Sequence, residues 1–267
     1  MIARRLLFFF VISITSIQLF GEEKDLIVTI NEEKLTLSYE FVAGLEAKEL
    51  NLHQPPYFNH AKLKVVPMEA LWKSVAGAEE KDTLLAWCWD GYLSYFSRDF
   101  SKEKEAFIVV EINGVKPSNW KESFDVDPGP FFFSFDDQAH PGVLGSGHKM
   151  PWGVTEIEFV NYAERFEPYY SGKFTELSHQ GEIGRKYWMV SCISCHSGPA
   201  GTIGGSRAMR PFEILAAHAI HNSEYFINYT INPQSFNPNS KMSAVTYFSE
   251  EQLTDLIAFM KEGMLGR

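Results

Sequence analysis

The chain is organised around the stretch Cys192-Ile193-Ser194-Cys195-His196. Two thiols separated by two residues can each form a thioether with one vinyl group of the same porphyrin, and the next histidine can ligate the iron. A zinc site would need about four ligands, but the chain has only one other cysteine, Cys88. A thioredoxin-like redox pair is expected to open a helix within a βαβ pattern, and the pattern here differs. The motif therefore predicts one haem c per chain, attached through Cys192 and Cys195, with His196 as an axial ligand.

Residues 1–21 have the features of a secretory signal peptide. Arg4 and Arg5 are followed by an apolar run, and small polar residues and Gly21 precede an acidic stretch. The run from Leu6 to Phe20 is 15 residues long, which is short for a membrane span of ~20 residues. A retained anchor is the alternative to cleavage. Because haem c is attached outside the cytoplasm, we expect a periplasmic or otherwise exported protein.

The composition is that of an acidic globular protein. The 267 residues include 34 acidic and 24 basic side chains, which gives a formal net charge of −10. Loss of Arg4 and Arg5 with the signal leaves 22 basic side chains and a net charge of −12. Such a surface disfavours nucleic acid and anionic lipid as partners. It predicts a redox partner with a basic or neutral surface, or a respiratory complex, and no membrane insertion after signal cleavage.

Residues 22–165 are predicted to form a β-rich domain. Apolar runs rich in β-branched and aromatic residues lie at residues 26–30, 83–89, 106–112 and 152–159, and turn sequences separate them. Cys88 falls inside the second of these runs. We therefore interpret it as a small buried residue of a strand.

This succession of elements resembles the molybdopterin-binding domain of the sulfite oxidase family. The shared landmarks are Asp90-Gly91-Tyr92, Ile112-Asn113-Gly114, Gly129-Pro130 and Trp152-Gly153-Val154. In members of the family that hold the cofactor, a cysteine upstream of the Asp-Gly-Tyr segment ligates molybdenum, whereas here no cysteine precedes Trp87. The resemblance thus implies a related fold from which the cofactor has been lost. The alternative is a molybdopterin-dependent oxidoreductase that passes substrate electrons to its own haem, with His140 and His148 as conceivable pterin contacts.

Residues 166–267 are predicted to be helical and to carry the haem. Gly184 and Trp188 lie eight and four residues before Cys192, and a Ser-x-x-Gln capping box at Ser249 begins the last helix. This arrangement is similar to class I cytochromes c, in which a glycine and an aromatic residue occupy the same two positions and the last helix crosses the first. The resemblance implies a contact of Gly184 with Phe259 or Met260.

The sixth ligand of the iron is predicted to be Met242. It lies in a polar loop just before the last helix, 46 residues after His196, where core packing does not explain an apolar residue. The loop resembles the ligand loop of class I mono-haem cytochromes c, with Ser243 in place of the usual proline. The alternative ligands are Met209, His218 and His221.

These patterns predict a multidomain α+β protein. A β-rich, sulfite oxidase-like domain at residues 22–165 would be followed by an all-α class I cytochrome c domain at residues 166–267. The predicted function is one-electron transfer by Fe(III)/Fe(II) cycling with His196 and Met242 as axial ligands, in an electron carrier rather than a catalyst. A third interpretation is a binding module, in which the first domain docks the cytochrome onto a larger complex.

Overall fold

The computed structural model describes residues 23–54, 58–123, 128–170, 177–201 and 203–265, so that the predicted signal sequence at residues 1–21 lies outside it. Within the described residues, nine strands form one mixed sheet. The strands are β1 (Leu26–Ile30), β2 (Glu33–Leu37), β3 (Lys48–Gln54), β4 (Phe58–Pro67), β5 (Thr83–Cys88), β6 (Leu93–Ser97), β7 (Phe107–Ile112), β8 (Phe131–Ser134) and β9 (Trp152–Val160). The helices are α1 (Tyr39–Gly44), α2 (Met68–Ser74), α3 (Arg98–Glu103), α4 (Trp120–Ser123), α5 (Tyr162–Tyr170), α6 (His179–Tyr187), α7 (Phe212–His221), α8 (Ser223–Ile231), α9 (Pro233–Phe236) and α10 (Glu250–Leu265).

The sheet is antiparallel except at one pair of strands. Its order is β2-β1-β9-β8-β7-β4-β3, with β5 added at β9 and β6 paired to β5. The parallel pair is β1 and β9, in which Val28 lies opposite Ile157. The four strands predicted from apolar runs are confirmed as β1, β5, β7 and β9.

Strand β5 is buried on both of its faces. Leu84, Ala86 and Cys88 point to one face, where they join a hydrophobic cluster with α1 and α2. Leu85 and Trp87 point to the other face and pack with the helices of the C-terminal part. Because successive side chains of a strand alternate between the two faces, a continuous apolar run needs a cover on each side.

The predicted separation into a β-rich domain and an all-α cytochrome domain is wrong. Leu85, Leu93 and Val160 of the sheet share one hydrophobic cluster with Trp188 and Phe259 of the helical part. Sheet and helices therefore form a single compact α+β body, and the described residues contain no separate all-α cytochrome domain. The change of sequence pattern near residue 166 marks where strands give way to helices, but it does not mark the edge of a hydrophobic core. The predicted boundary between residues 165 and 166 falls within α5.

Helices α6 and α10 cross at Gly184, as the resemblance to class I cytochromes c implies. A Cβ atom at Gly184 would overlap the carbonyl oxygen of Asp255. The backbone of α10 therefore occupies the place that the sequence analysis assigned to the side chain of Phe259 or Met260. A glycine is required here because any larger residue would push the two helices apart.

The start of α10 is also as predicted. The amide nitrogen of Ser249 donates to Oε1 of Gln252 at 2.8 Å, and the amide nitrogen of Gln252 donates to Oγ of Ser249 at 3.2 Å. These two reciprocal bonds form the capping box that satisfies otherwise unpaired amide groups of the first turn. The helix has a buried apolar stripe, whose members are Leu253, Leu256, Ile257 and Met260.

His148 is held by packing contacts in the loop that precedes β9. Its ring stacks on Phe100 with the ring centroids 3.7 Å apart, and its Nδ1 lies 2.7 Å from Oγ of Ser146. Burial lowers the pKa of His148 to about 4. His140, the other histidine of this loop, lies 3.5 Å from a carboxylate oxygen of Glu105. Both rings thus have partners in the segment formed by α3 and the residues just after it.

We expect Gly184→Ala to lower the free energy of unfolding by about 1–3 kcal/mol, because the added methyl group separates α6 from the backbone of α10. Gly44→Ala is the matched control, since a Cβ atom at this helical glycine meets no atom within 4 Å. Urea unfolding of both variants measures the difference. Equal stability of the two variants would show that the helices do not approach closely at Gly184.

We expect His148→Gln to reduce the loss of stability on acidification. An unfolded histidine takes up a proton below pH ~6.5, whereas His148 stays neutral in the folded protein until the pH approaches about 4. The unfolded state therefore binds more protons between these values, and His148 should lower the free energy of unfolding by about 2 kcal/mol on going from pH 8 to pH 5. Urea unfolding at both pH values tests this. His221→Gln, at an exposed position, should behave as the wild type, and an identical pH dependence in all three proteins would contradict the assignment.

Candidate haem site

The cysteine motif begins where α6 passes into a π-helical turn, Trp188–Cys192. The amide nitrogens of Cys195 and His196 both donate to the carbonyl oxygen of Cys192, at 3.2 and 3.1 Å. These bonds close a tight turn over the motif. The turn brings the two cysteines and the histidine into one short, ordered segment rather than a flexible loop.

Trp188 anchors the helix turn that leads into the motif. The side chain is fully buried, and its ring meets Phe212 edge-on with the centroids 5.1 Å apart. Phe259 of α10 lies on it with a centroid distance of 6.4 Å. The aromatic residue that the sequence places four positions before Cys192 therefore ties the motif to α7 and α10.

The ring of His196 has one nitrogen fixed by the backbone. Its Nδ1 lies 2.7 Å from the carbonyl oxygen of Arg210. A carbonyl oxygen can only accept a hydrogen bond, so Nδ1 carries the proton and Nε2 keeps its lone pair for a metal. Burial lowers the pKa of His196, which keeps the imidazole neutral at neutral pH. This role of Arg210 cannot be predicted from the sequence, because a backbone carbonyl has no sequence signature.

The two motif cysteines are free thiols, and both side chains are half-buried. Burial raises the pKa of Cys192 to about 12, and it also raises the pKa of Cys195. A thiol pair that exchanges disulfides or binds zinc must be readily deprotonated, and such pairs normally have a lowered pKa. The surroundings of these cysteines are thus unlike those of a thioredoxin-like pair.

Two glycines bring the following loop directly onto the motif. A Cβ atom at Gly205 would overlap the carbonyl oxygen of Ser194, and one at Gly204 would overlap the carbonyl oxygen of His196. The amide nitrogen of Gly205 also donates to the carbonyl oxygen of Ile193 at 2.7 Å. This close approach of two backbone segments is open only to residues without a side chain.

The sheet supplies one wall of the site through the turn Asp90-Gly91-Tyr92. The amide nitrogen of Leu93 donates to the carbonyl oxygen of Ser194 at 3.0 Å. The amide nitrogen of Ser206 donates to the carbonyl oxygen of Gly91 at 2.8 Å. Arg207 adds an ion pair with Asp90 at 3.3 Å. Its guanidinium also lies over the ring of Tyr92, 5.7 Å from the centroid. A turn about one hundred residues earlier in the chain therefore holds both the cysteine motif, at Ser194, and the loop that follows it, at Ser206 and Arg207.

Cys88 lies at the end of β5, two residues before Asp90, the first residue of that turn. It is buried in the cluster under α1 and α2, and burial raises the pKa of its thiol to about 12. Its amide nitrogen donates to the carbonyl oxygen of Tyr92 at 2.9 Å. The interpretation of Cys88 as a small buried residue of a strand is confirmed.

Met242 lies half-buried in the loop between α9 and α10, and its backbone is fixed at both polar atoms. Its amide nitrogen donates to Oγ of Ser240 at 3.3 Å, and its carbonyl oxygen accepts from Nε2 of Gln234 at 2.9 Å. The Tyr229 hydroxyl lies 3.2 Å from the same Oγ of Ser240. The guanidinium of Arg210 lies 5.6 Å from the centroid of the Tyr229 ring. The described contacts thus link Met242 to Arg210 indirectly, through Ser240 and Tyr229. The carbonyl oxygen of Arg210 in turn holds the ring of His196.

The alternative ligands are placed differently. The side chain of Met209 is fully exposed, and His221 is exposed at the end of α7. The ring of His218 lies against Tyr225 with the centroids 5.4 Å apart. Met242 is half-buried, whereas Met209 and His221 are exposed to solvent.

Among the described residues, no three or more His, Cys, Asp or Glu side chains are grouped so that they could hold a metal ion by themselves. None of the helices in the described part of the chain combines the length and the apolarity needed to cross a bilayer.

Neither a protein-family model nor a curated protein matches the chain.

Proposed function

We propose that the protein is an exported mono-haem c-type cytochrome that carries single electrons. The observation that carries this proposal is the environment of His196. Its Nδ1 is fixed by the carbonyl oxygen of Arg210 at 2.7 Å, and Nε2 retains its lone pair in the residue that directly follows Cys195. A histidine ligand of haem commonly has such a second hydrogen bond, which sets the tautomer and the orientation of the ring.

The residues present fit a covalently attached haem. The thiols of Cys192 and Cys195 are free, and hydrogen bonds from Leu93, Gly205 and Ala208 fix the backbone of the motif. A porphyrin attached through these thiols would supply a one-electron Fe(III)/Fe(II) couple. No open coordination position is needed for that function.

The protein's own residues have separate tasks in this proposal. Cys192 and Cys195 would hold the group, and His196 would present Nε2 to the iron. Trp188 and the aromatic rings around it form an apolar wall that keeps water from the helix side of the site. Met242 would supply a thioether from its hydrogen-bonded loop. Thioether ligation and an apolar surrounding both favour a high reduction potential.

The geometry favours the electron carrier over a molybdenum enzyme. A cysteine that ligates a metal must reach it as a thiolate. Cys88 is instead buried in a hydrophobic cluster, and burial raises the pKa of its thiol to about 12. The resemblance to the sulfite oxidase fold does not by itself support an enzymatic activity.

The proposal is tested on protein exported from a host that attaches haem c. We expect one iron per chain, a haemochrome spectrum typical of two thioethers, and a single thiol, that of Cys88, that reacts after denaturation. In the oxidised protein, the near-infrared band of a thioether-to-iron bond should be present and should disappear in Met242→Ala. Met209→Ala, which alters a fully exposed side chain, should keep the band.

The possible outcomes separate the parts of the proposal. Three reactive thiols and no iron would contradict haem attachment. Attached haem whose near-infrared band is absent from the wild type, or survives Met242→Ala, would contradict only the assignment of the sixth ligand. Molybdenum in an amount equal to the protein would favour the oxidoreductase.

A further inference from the structure

We propose that Trp89, Arg207, Met209 and Arg210, which we call the arginine patch, form the docking surface for an acidic partner protein. The claim that this partner exchanges electrons with the protein rests on the proposed function. The claim that the patch binds an acidic surface rests on the exposure, the charge and the position of these four residues.

The apolar part of the patch is unusually exposed. Trp89 has 71% of its surface exposed and Met209 has 100%, whereas the other exposed large apolar side chains of the described residues do not exceed 46%. Tryptophan, methionine and arginine are enriched at the centres of protein interfaces. Two such side chains left in solvent indicate a surface that a partner covers.

The patch is held together by ordered contacts. Asp90, the neighbour of Trp89, forms an ion pair with Arg207 at 3.3 Å, and Met209 follows two residues later. The backbone between them is tied to the motif, because the amide nitrogen of Ala208 donates to the carbonyl oxygen of Cys195 at 2.9 Å. These bonds give the patch a defined shape before any partner arrives, which reduces the entropy cost of binding.

The patch itself carries two positive charges, and the carboxylate of Asp90 borders it. Arg207 is offset by Asp90, but Arg210 forms no ion pair with any described residue and lies over the Tyr229 ring. Lys149, which donates to the hydroxyl of Tyr247, adds a further positive charge near the cysteines. Arg210 thus presents a positive charge without an ion-pair partner among the described residues, on a chain whose net charge is −10.

The local charge, rather than the net charge, should decide which partner docks. Salt screens charges beyond about 8 Å at physiological ionic strength, so a partner in contact is affected mainly by the residues that it touches. The patch also lies next to the motif, since the carbonyl oxygen of Arg210 holds His196. The net charge predicts a basic or neutral partner, whereas the patch points to a partner with carboxylates.

The first experiment maps anion binding by NMR. Hexacyanochromate(III), which is anionic, paramagnetic and inert to reduction here, is added to the isotope-labelled full-length protein at low salt. We expect it to broaden the indole N–H signal of Trp89 and the methyl signal of Met209. The broadening should fall roughly threefold or more in Arg207→Gln/Arg210→Gln. Lys34→Gln/Lys62→Gln, which removes two exposed positive charges from the sheet, should leave it unchanged.

The second experiment replaces the small anion with polymers. Poly-L-glutamate should bind the protein and shift the signals of Trp89 and Met209, with an affinity about tenfold lower in the arginine variant. Poly-L-lysine should leave these two signals in place. Shifts caused by polylysine instead, or anion broadening that spreads over the surface without a maximum at the patch, would overturn the proposal. Neither measurement uses haem, so a failure of haem attachment would be seen separately in the thiol count.

Discussion

The structure depends on the burial of β5 from both sides. Its residues alternate between a cluster under α1 and α2 and a second cluster under the C-terminal helices. A strand with two apolar faces cannot leave either of them in water without losing the transfer free energy of several large side chains. The helices must therefore pack on the sheet, and that packing carries the cysteine motif at the end of α6 to the turn that follows β5. The fold and the site thus follow from the same hydrophobic requirement.

The sequence predicts local features of this fold well because their physical causes are local. The strands follow from apolar runs, and the start of α10 follows from the spacing of Ser249 and Gln252. The crossing at Gly184 is implied by the resemblance to class I cytochromes c, and its physical cause is the missing side chain of a helical glycine. The division into two domains is wrong because an apolar run shows that β5 is covered and does not show by which part of the chain. Pairing between distant segments has no local signature.

The same limit applies to the candidate site. Cys192, Cys195 and His196 stand out by spacing, because their chemistry requires neighbouring positions. The groups that hold them are mostly backbone atoms, such as the carbonyl oxygen of Arg210 and the amide nitrogen of Leu93. Every residue has such atoms, so the sequence cannot single them out. The turn Asp90-Gly91-Tyr92 is a landmark of the resemblance in fold, and its contact with the motif is visible only in three dimensions.

One physical cause, burial, acts on all three motif residues in a consistent way. It raises the pKa of both thiols and lowers that of His196, so each group is favoured in its neutral form. For a thiol redox pair or a zinc site these shifts would be unfavourable, because both need thiolates. For thioethers and a neutral imidazole they carry no penalty, since neither group has a charge to desolvate. The neutral forms that burial favours are therefore compatible with the covalent attachment of a porphyrin that we propose.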